Sequence, residues 1–163
     1  MSEPGALTPT RDPLTGPFWT AAGEGRLVVQ RCDSCGELRW PPLSGCPECL
    51  SRETTWAEVP PDGTIWSQVT YHRAFQAELK ADIPYTVALV QLDDGPYLAG
   101  RLAPGTTASI GDRVTAEFAE VRGAPQLRWR PADAGPASTQ AASTSAAGTP
   151  PAQHANGGSD GKA

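Results

Sequence analysis

The sequence predicts a mainly β protein: a short N-terminal helix, a cysteine-built ribbon, a five-stranded barrel and a disordered C-terminal tail. Three observations predict it. All four cysteines lie in "RCDSCGELRWPPLSGCPECL", residues 31–50, as two C-x-x-C pairs ten residues apart. From Gly63 onward, short β-type runs alternate with turn residues, the signature of a small barrel or sandwich. From residue 132 the chain reads "ADAGPASTQAASTSAAGTPPAQHANGGSDGKA", with no aromatic and no large aliphatic residue. Such a segment cannot bury enough apolar surface to offset its ordering entropy, so residues 132–163 are expected to be disordered.

Residues 1–17 are rich in Pro, Thr and Gly and read as a flexible arm. A short helix is expected from Phe18 to Glu24, with Pro17 before it and Gly25 to stop it. Phe18 and Ala22 share one face of that helix, with Trp19 beside them. These aromatics either pack on the cysteine module or carry the helix to a partner, and the sequence leaves both readings open. "RLVVQRC" reads as a strand feeding the first cysteine pair and "LRWPP" as the return strand, so residues 18–58 form one unit of helix and ribbon.

Residues 59–131 supply the barrel. "TIWSQVTYHR" places Ile65, Val69 and Tyr71 on one face and Trp66, Gln68, Thr70 and His72 on the other. "YTVALVQL" is apolar on both faces, as a central strand is. "DDG" at 93–95 is a turn, and "PYLAGRL" is the next strand, with Gly100 read as a bulge or sharp bend. In "RVTAEFAEV", Val114, Ala116 and Phe118 alternate with Arg113, Thr115 and Glu117. "QLRWR" closes the series with Leu127 and Trp129 inward and Gln126, Arg128 and Arg130 outward. Five strands in about 70 residues fit the OB-fold. An SH3-like barrel fits the same count, and the pattern alone does not choose.

The two C-x-x-C hairpins can each present both sulfurs from one tight turn, and together they place four thiolates at tetrahedral corners. Cys32, Cys35, Cys46 and Cys49 are therefore the expected metal ligands, with Gly36 relieving the backbone after the first knuckle and Pro47 stiffening the second. Zinc is the expected metal, as one structural ion, because four cysteines leave no open position for catalysis. "CDSCG" and "CPEC" are similar to the knuckles of rubredoxin, whose iron uses the same ligands. The ten-residue separation is much shorter than a rubredoxin's, and Leu50 stands where a rubredoxin has glycine, which leaves an iron-binding electron carrier as the minor alternative to a zinc protein.

Charge bears on partners. The chain carries 13 Lys+Arg and 18 Asp+Glu; Lys162, Asp133 and Asp160 lie beyond residue 131, which leaves 12 against 16 in the part expected to fold. A nucleic-acid-binding role, for which zinc ribbons and OB barrels both serve elsewhere, needs a basic surface that this acidic chain does not advertise. No apolar stretch approaches the roughly 20 residues that span a bilayer, and the N-terminus lacks the pattern of a secretion signal. A cytoplasmic setting is expected, where paired thiols hold metal rather than form disulfides.

No catalytic set is legible. There is no G-x-G-x-x-G, P-loop, G-x-S-x-G or H-E-x-x-H motif. His72 reads as a half-exposed strand residue, His154 lies in the tail, and Asp93 and Asp94 are adjacent in a turn and point apart. Arg101, Arg128 and Arg130 form either a basic strip suited to a phosphate or an acidic partner, or ordinary solvated strand faces.

Taken in order, the "FW" helix, "GRLVVQRCDSCGELRWPP", "CPEC", "GTIWSQVTYHR", "IPYTVALVQLDDGPYLAGRL", "IGDRVTAEF" and "LRWRPA" resemble the acyl-CoA-associated zinc-ribbon/OB-fold family over about residues 17–132. The resemblance implies a rubredoxin-like zinc ribbon followed by an OB-fold. It also implies a non-catalytic accessory subunit of a thiolase-like protein, which completes or covers the partner's acyl-CoA site. Related pairs perform thiolysis, condensation, acyl transfer or retro-aldol cleavage of steroid side-chain thioesters. By the same resemblance the four cysteines match the family's metal ligands, Trp40-Pro41-Pro42 matches the segment after the first knuckle, and Ile83-Pro84-Tyr85 matches the entry to the second barrel strand. The loop "AFQAELKADI" lacks the Pro-Gly that many members carry before the Pro-Tyr pair. Independently of the resemblance, residues Leu38 to Pro42 between the knuckles are what the metal holds in place, and Trp40 among them is expected at or near a partner surface.

Overall fold

A computed structural model describes residues 12–75 and 79–132. The expected tail beyond residue 132 and the first eleven residues of the expected arm lie outside the described residues. The helix α1 spans Gly16–Gly23, two residues earlier at its start than Pro17 suggested, because Pro17 occupies the first turn itself. Asp12 holds that start: its Oδ1 accepts from the Thr15 backbone N–H at 2.7 Å and its carbonyl accepts from the Gly16 N–H at 2.8 Å. At the other end Gly25, at φ +76°, donates to the Ala22 carbonyl while Arg26 donates to Ala21. This pair of bonds is the Schellman ending, which needs a left-handed residue and so selects glycine.

Three strands form the ribbon sheet: β1 (Val28–Cys32), β2 (Leu38–Arg39) and β3 (Thr54–Glu58), in the order β2-β1-β3, all antiparallel. The barrel follows as β4 (Asp62–Tyr71), β5 (Tyr85–Leu92), β6 (Tyr97–Leu102), β7 (Arg113–Val121) and β8 (Ala124–Pro131). It closes in the order β4-β5-β6-β8-β7, with β7 returning to β4. The pairing of β6 with β8 is parallel, Arg101 opposite Arg128 and Leu102 opposite Trp129. That crossover gives the five-stranded Greek-key closure of an OB-fold and settles the choice against an SH3-like barrel.

Two sequence expectations for the barrel fail for local reasons. The register of β4 against β5 shifts between Ile65 and Ser67, so Trp66 is a bulge residue without a partner on β5. The extra residue reverses the alternation: Ile65 is buried, but Val69 is 51% exposed, and the Gln68 Oε1 is buried instead. Gly100, by contrast, is no bulge, since β5 and β6 pair in unbroken register through it. A Cβ at Gly100 would lie 2.8 Å from Trp129 Nε1, so the glycine makes room for the indole that fills the barrel.

One apolar cluster joins helix, ribbon and barrel: Phe18 and Ala21 from α1, Val28 and Val29 from β1, and Ile65, Val90, Leu98, Val114 and Trp129 from the barrel. Phe18 is the junction. Its ring lies 4.3 Å from that of Trp40 in the ribbon and 6.0 Å from that of Phe118 on β7. The helix thus packs between the two units.

Candidate metal centre

The four cysteines converge as the spacing requires. Their sulfurs all lie within 4.8 Å of one another, with Cys32 to Cys49 at 3.5 Å and Cys35 to Cys46 at 3.6 Å. All four are free thiols. Four sulfurs about 2.3 Å from a central zinc would stand about 3.8 Å apart along each edge, so the donor set fits a closed tetrahedral site. Disulfide sulfurs, by comparison, stand about 2.05 Å apart.

Local backbone geometry makes each knuckle. The Gly36 N–H donates to the Cys32 carbonyl at 2.9 Å, and Gly36 sits at φ +80°. In the second knuckle the Leu50 N–H donates to the Cys46 carbonyl at 2.9 Å. Leu50 takes the equivalent left-handed conformation, φ 62°, which a leucine adopts only against its Cβ sterics. Cys32 and Cys46 are buried, whereas Cys35 and Cys49 face outward.

The electrostatics of the bare sulfurs are unequal. The backbone N–H of Cys35 donates to Cys32 and, with help from the Ser34 N–H and the neighbouring thiols, lowers the Cys32 thiol to about 6. Cys35 goes the other way, to about 12. The Glu37 N–H favours its thiolate, but burial and the sulfurs of Cys32, Cys49 and Cys46 outweigh that bond. Cys49 is also raised: the Ser51 N–H lowers it, and Cys32, burial and Cys46 together raise it more. Four thiolates cannot share so small a volume without a cation among them.

A brace that sequence reasoning missed supports the centre. Gln30 and Arg39 are register partners on β1 and β2 and are both buried. The Gln30 Oε1 accepts from Arg39 Nε at 3.0 Å and from the Leu43 N–H at 2.9 Å, which ties the inter-knuckle loop to β1. The available signal was period-two alternation: Gln30 lies two residues before Cys32 on the same strand face. Trp40, expected at a partner surface, is half-buried on Phe18 and packed against the core. The Trp40–Pro41 and Ile83–Pro84 peptide bonds are both cis.

The other sequence candidates separate. His72 is exposed and the structure brings no partner to it among the described residues. Arg130 is taken by Glu117, at 2.9 and 2.6 Å, and leaves the expected basic strip. Arg101 and Arg128 stay together and line one cleft with Arg122, which the sequence reading did not single out. No helix among the described residues is long and apolar enough to cross a membrane.

Comparison with known proteins places this geometry. Residues 19–55 match the ChsH2 rubredoxin-like zinc ribbon domain, and residues 56–119 match the ChsH2 C-terminal OB-fold domain. Among solved structures, the chain is similar to one described as the Ltp2-ChsH2(DUF35) aldolase, at TM-score 0.68 and 31% identity, over 76% of this chain and 98% of that one. A DUF35-family protein of unknown function from Sulfolobus solfataricus shares the fold, at TM-score 0.53 and 15% identity over 73% of this chain and 85% of that one. A DUF35 domain-containing scaffold protein of Methanocaldococcus jannaschii is 26% identical over 100 residues, 59% of this chain and 70% of that protein. A probable enoyl-CoA hydratase alpha subunit of Thermomonospora curvata is 38% identical over 86 residues, which is 52% of this chain but only 26% of that protein. With both of its domains matched in order, and the four cysteines gathered within the matched ribbon, the chain belongs to the ChsH2 (DUF35) zinc-ribbon/OB-fold family.

Proposed function

We propose that the chain is a non-catalytic accessory subunit of a thiolase-superfamily acyl-CoA enzyme, one that performs thiolysis, condensation or retro-aldol chemistry, steroid side-chain thioesters being one candidate substrate class. The observation that carries the reading is the match to the Ltp2-ChsH2(DUF35) aldolase structure, because it spans nearly the whole of that chain. The partner supplies the nucleophile and general base; this chain stabilises it and helps to form its acyl-CoA site. Cys32, Cys35, Cys46 and Cys49 hold one structural zinc ion, which when bound fixes the ribbon against α1 and the barrel. In this reading residues 1–17 are an arm, 18–58 the helix and ribbon, 59–131 the barrel and 132–163 a tail, in a cytoplasmic hetero-oligomer. The acidic charge supports a protein partner over nucleic acid. Exposed Trp66, Tyr97 and Leu50 supply apolar surface for such a contact.

The test is recovery of the tagged full chain from extract of its native cells at physiological salt. A thiolase-superfamily protein in stoichiometric amount, with C–C bond-forming or bond-cleaving activity on an acyl-CoA, is the expected result. Recovery of the chain alone, or with single-stranded nucleic acid, overturns the reading.

A further inference from the structure

The barrel carries a cleft of about 450 Å³ beside the parallel pairing of β6 and β8. Its charged lining is Arg101 on β6, Arg128 on β8, Arg122 at the β7–β8 turn, and Asp82 just before β5. Among the described residues that line it, three guanidinium groups accompany one carboxylate, in a chain whose residues 1–131 carry 12 Lys+Arg against 16 Asp+Glu. The excess of positive charge is thus local to the cleft and runs against the balance of the molecule.

Two of the arginines are held in position. The Arg101 guanidinium lies 4.1 Å over the centre of the Tyr85 ring and donates to Asp82 Oδ2 at 3.0 Å. Tyr85 is itself stacked on Tyr71, its register partner, at 5.1 Å. A cation packed on a ring that is packed on a second ring has little rotamer freedom left to lose on binding. Arg122 sits at φ 52° in the turn with Gly123 at φ 80°, a pair of left-handed residues that two-residue hairpins fill with Asn-Gly. An arginine there is selected against by the turn. Its side chain is only 34% exposed despite the hairpin tip and lies 4.0 Å from Asp82, so it leans back over the cleft. Arg128 makes no ion pair among the described residues and is half-buried in the same wall.

We infer that this cleft is a binding site for a phosphorylated small molecule of about nucleotide size. Planar guanidinium forks match the paired oxygens of a phosphate. Arg101, held by Tyr85 and Asp82, and Arg128 on the adjacent parallel strand, unpaired among the described residues, grip a doubly charged group between them, and Arg122 closes over it. Ala103, Pro104, Gly105 and Thr106 complete the wall. The volume lies in the range of small-molecule pockets and exceeds what an inorganic phosphate fills, so the phosphate is carried by an organic body. The shared chemistry admits two sources, a free nucleotide-like phosphate compound or the phosphorylated head of a CoA thioester. The site belongs to this chain alone, so the inference stands whether or not a thiolase-like partner is found.

Titration of the isolated, metal-loaded full chain tests it, using pyrophosphate, adenosine 3′,5′-bisphosphate and CoA at low and physiological salt, followed by calorimetry. Saturable, salt-weakened binding of at least one probe is expected. Arg128→Gln should weaken it about tenfold or more, as loss of a charged hydrogen-bonding partner does, and Arg128→Lys should weaken it less. Arg122→Asn supplies a fold control: it suits the left-handed turn and should leave thermal stability equal or higher, while lowering affinity. Tighter binding of CoA and the bisphosphate than of pyrophosphate assigns the CoA head as the source, and equal binding assigns a phosphate site indifferent to its carrier. No saturable binding at millimolar probe, or binding that both folded variants leave unchanged, overturns the inference. So does an Arg128→Gln variant that loses only a protein partner, which would make the arginines a docking surface.

Discussion

Gln30 and Arg39 face each other across β1 and β2 with 3% and 5% of their surfaces exposed, and the Gln30 Oε1 is the acceptor for Arg39 Nε at 3.0 Å. The remaining two guanidinium nitrogens of Arg39 are buried with no hydrogen-bond partner among the described residues. A buried cation with a single side-chain acceptor depends heavily on it. Gln30→Leu should therefore cost about 3 kcal/mol in denaturant unfolding, more than loss of an ordinary hydrogen bond. The double variant Gln30→Leu with Arg39→Met removes the stranded charge as well and should recover part of that loss, which a double-mutant cycle reads directly. Additive losses would show that the pair is not coupled.

Glycines in the barrel separate by what they face. A Cβ at Gly63 would meet the Gln91 backbone carbonyl at 2.5 Å, and one at Gly100 would meet the Trp129 ring at 2.8 Å. Backbone in a closed barrel cannot retreat, whereas an indole can shift slightly. Gly63→Ala is expected to prevent folding or cost more than about 3 kcal/mol, and Gly100→Ala about 1–3 kcal/mol. Pairing Gly100→Ala with Trp129→Phe should restore part of the second loss, since the smaller ring vacates the contacted position. Thermal melts of the three variants check the order.

These contrasts show how much of the fold sequence could disclose. The cysteine centre was legible because chemistry fixes both residue type and spacing, β5 because its run is apolar on both faces, and β8 because its alternation is unbroken. Val69 and Gln68 were misplaced because the bulge at Trp66 inserts one residue, which reverses a period of two and leaves no compositional trace. The role of Gly100 depends on Trp129, 29 positions away in sequence but on the neighbouring strand. The choice of OB-fold over SH3-like barrel rests on the parallel β6–β8 pairing, a non-local fact. Gln30 and Arg39 were not singled out, because what makes them a pair is the β1–β2 register and the bond from the Leu43 N–H, both non-local.

Metal uptake should be strongly pH-dependent. Without a metal, Cys32 is a thiolate near neutrality because its thiol is lowered to about 6, while Cys35, raised to about 12, and Cys49, also raised, keep their protons. Binding must expel the protons of Cys35 and Cys49, so affinity falls as pH falls, and below about 6 Cys32 protonates too and the loss steepens. Calorimetry in buffers of different ionisation enthalpy should report this proton release, and metal content after dialysis at successive pH values should show the steepening. Removal of the metal by a chelator, or Cys46→Ser, should unfold the ribbon while the barrel's far-ultraviolet signature persists. A Cys46→Ser variant with full metal content would refute the ligand assignment.

Phe18 offers the sharpest test of how ribbon and barrel are joined. Its buried ring touches Trp40 on one side and Phe118 on the other, so it is the aromatic through which the two units share a core. Phe18→Ala should cost about 3–5 kcal/mol by the usual cost of truncating a buried aromatic. The more telling result is in cooperativity. In the unaltered chain, cobalt–thiolate absorption reports the ribbon and Trp129 fluorescence weights the barrel, and both should change at one denaturant concentration. In Phe18→Ala the two transitions should separate, the ribbon holding to its metal and the barrel to its own core. Trp40→Ala should separate them in the same sense but by less, because the Phe18–Phe118 contact survives. If Trp40→Ala leaves both transitions coincident and unshifted but abolishes recovery of a partner protein, the indole serves the partner surface rather than the junction.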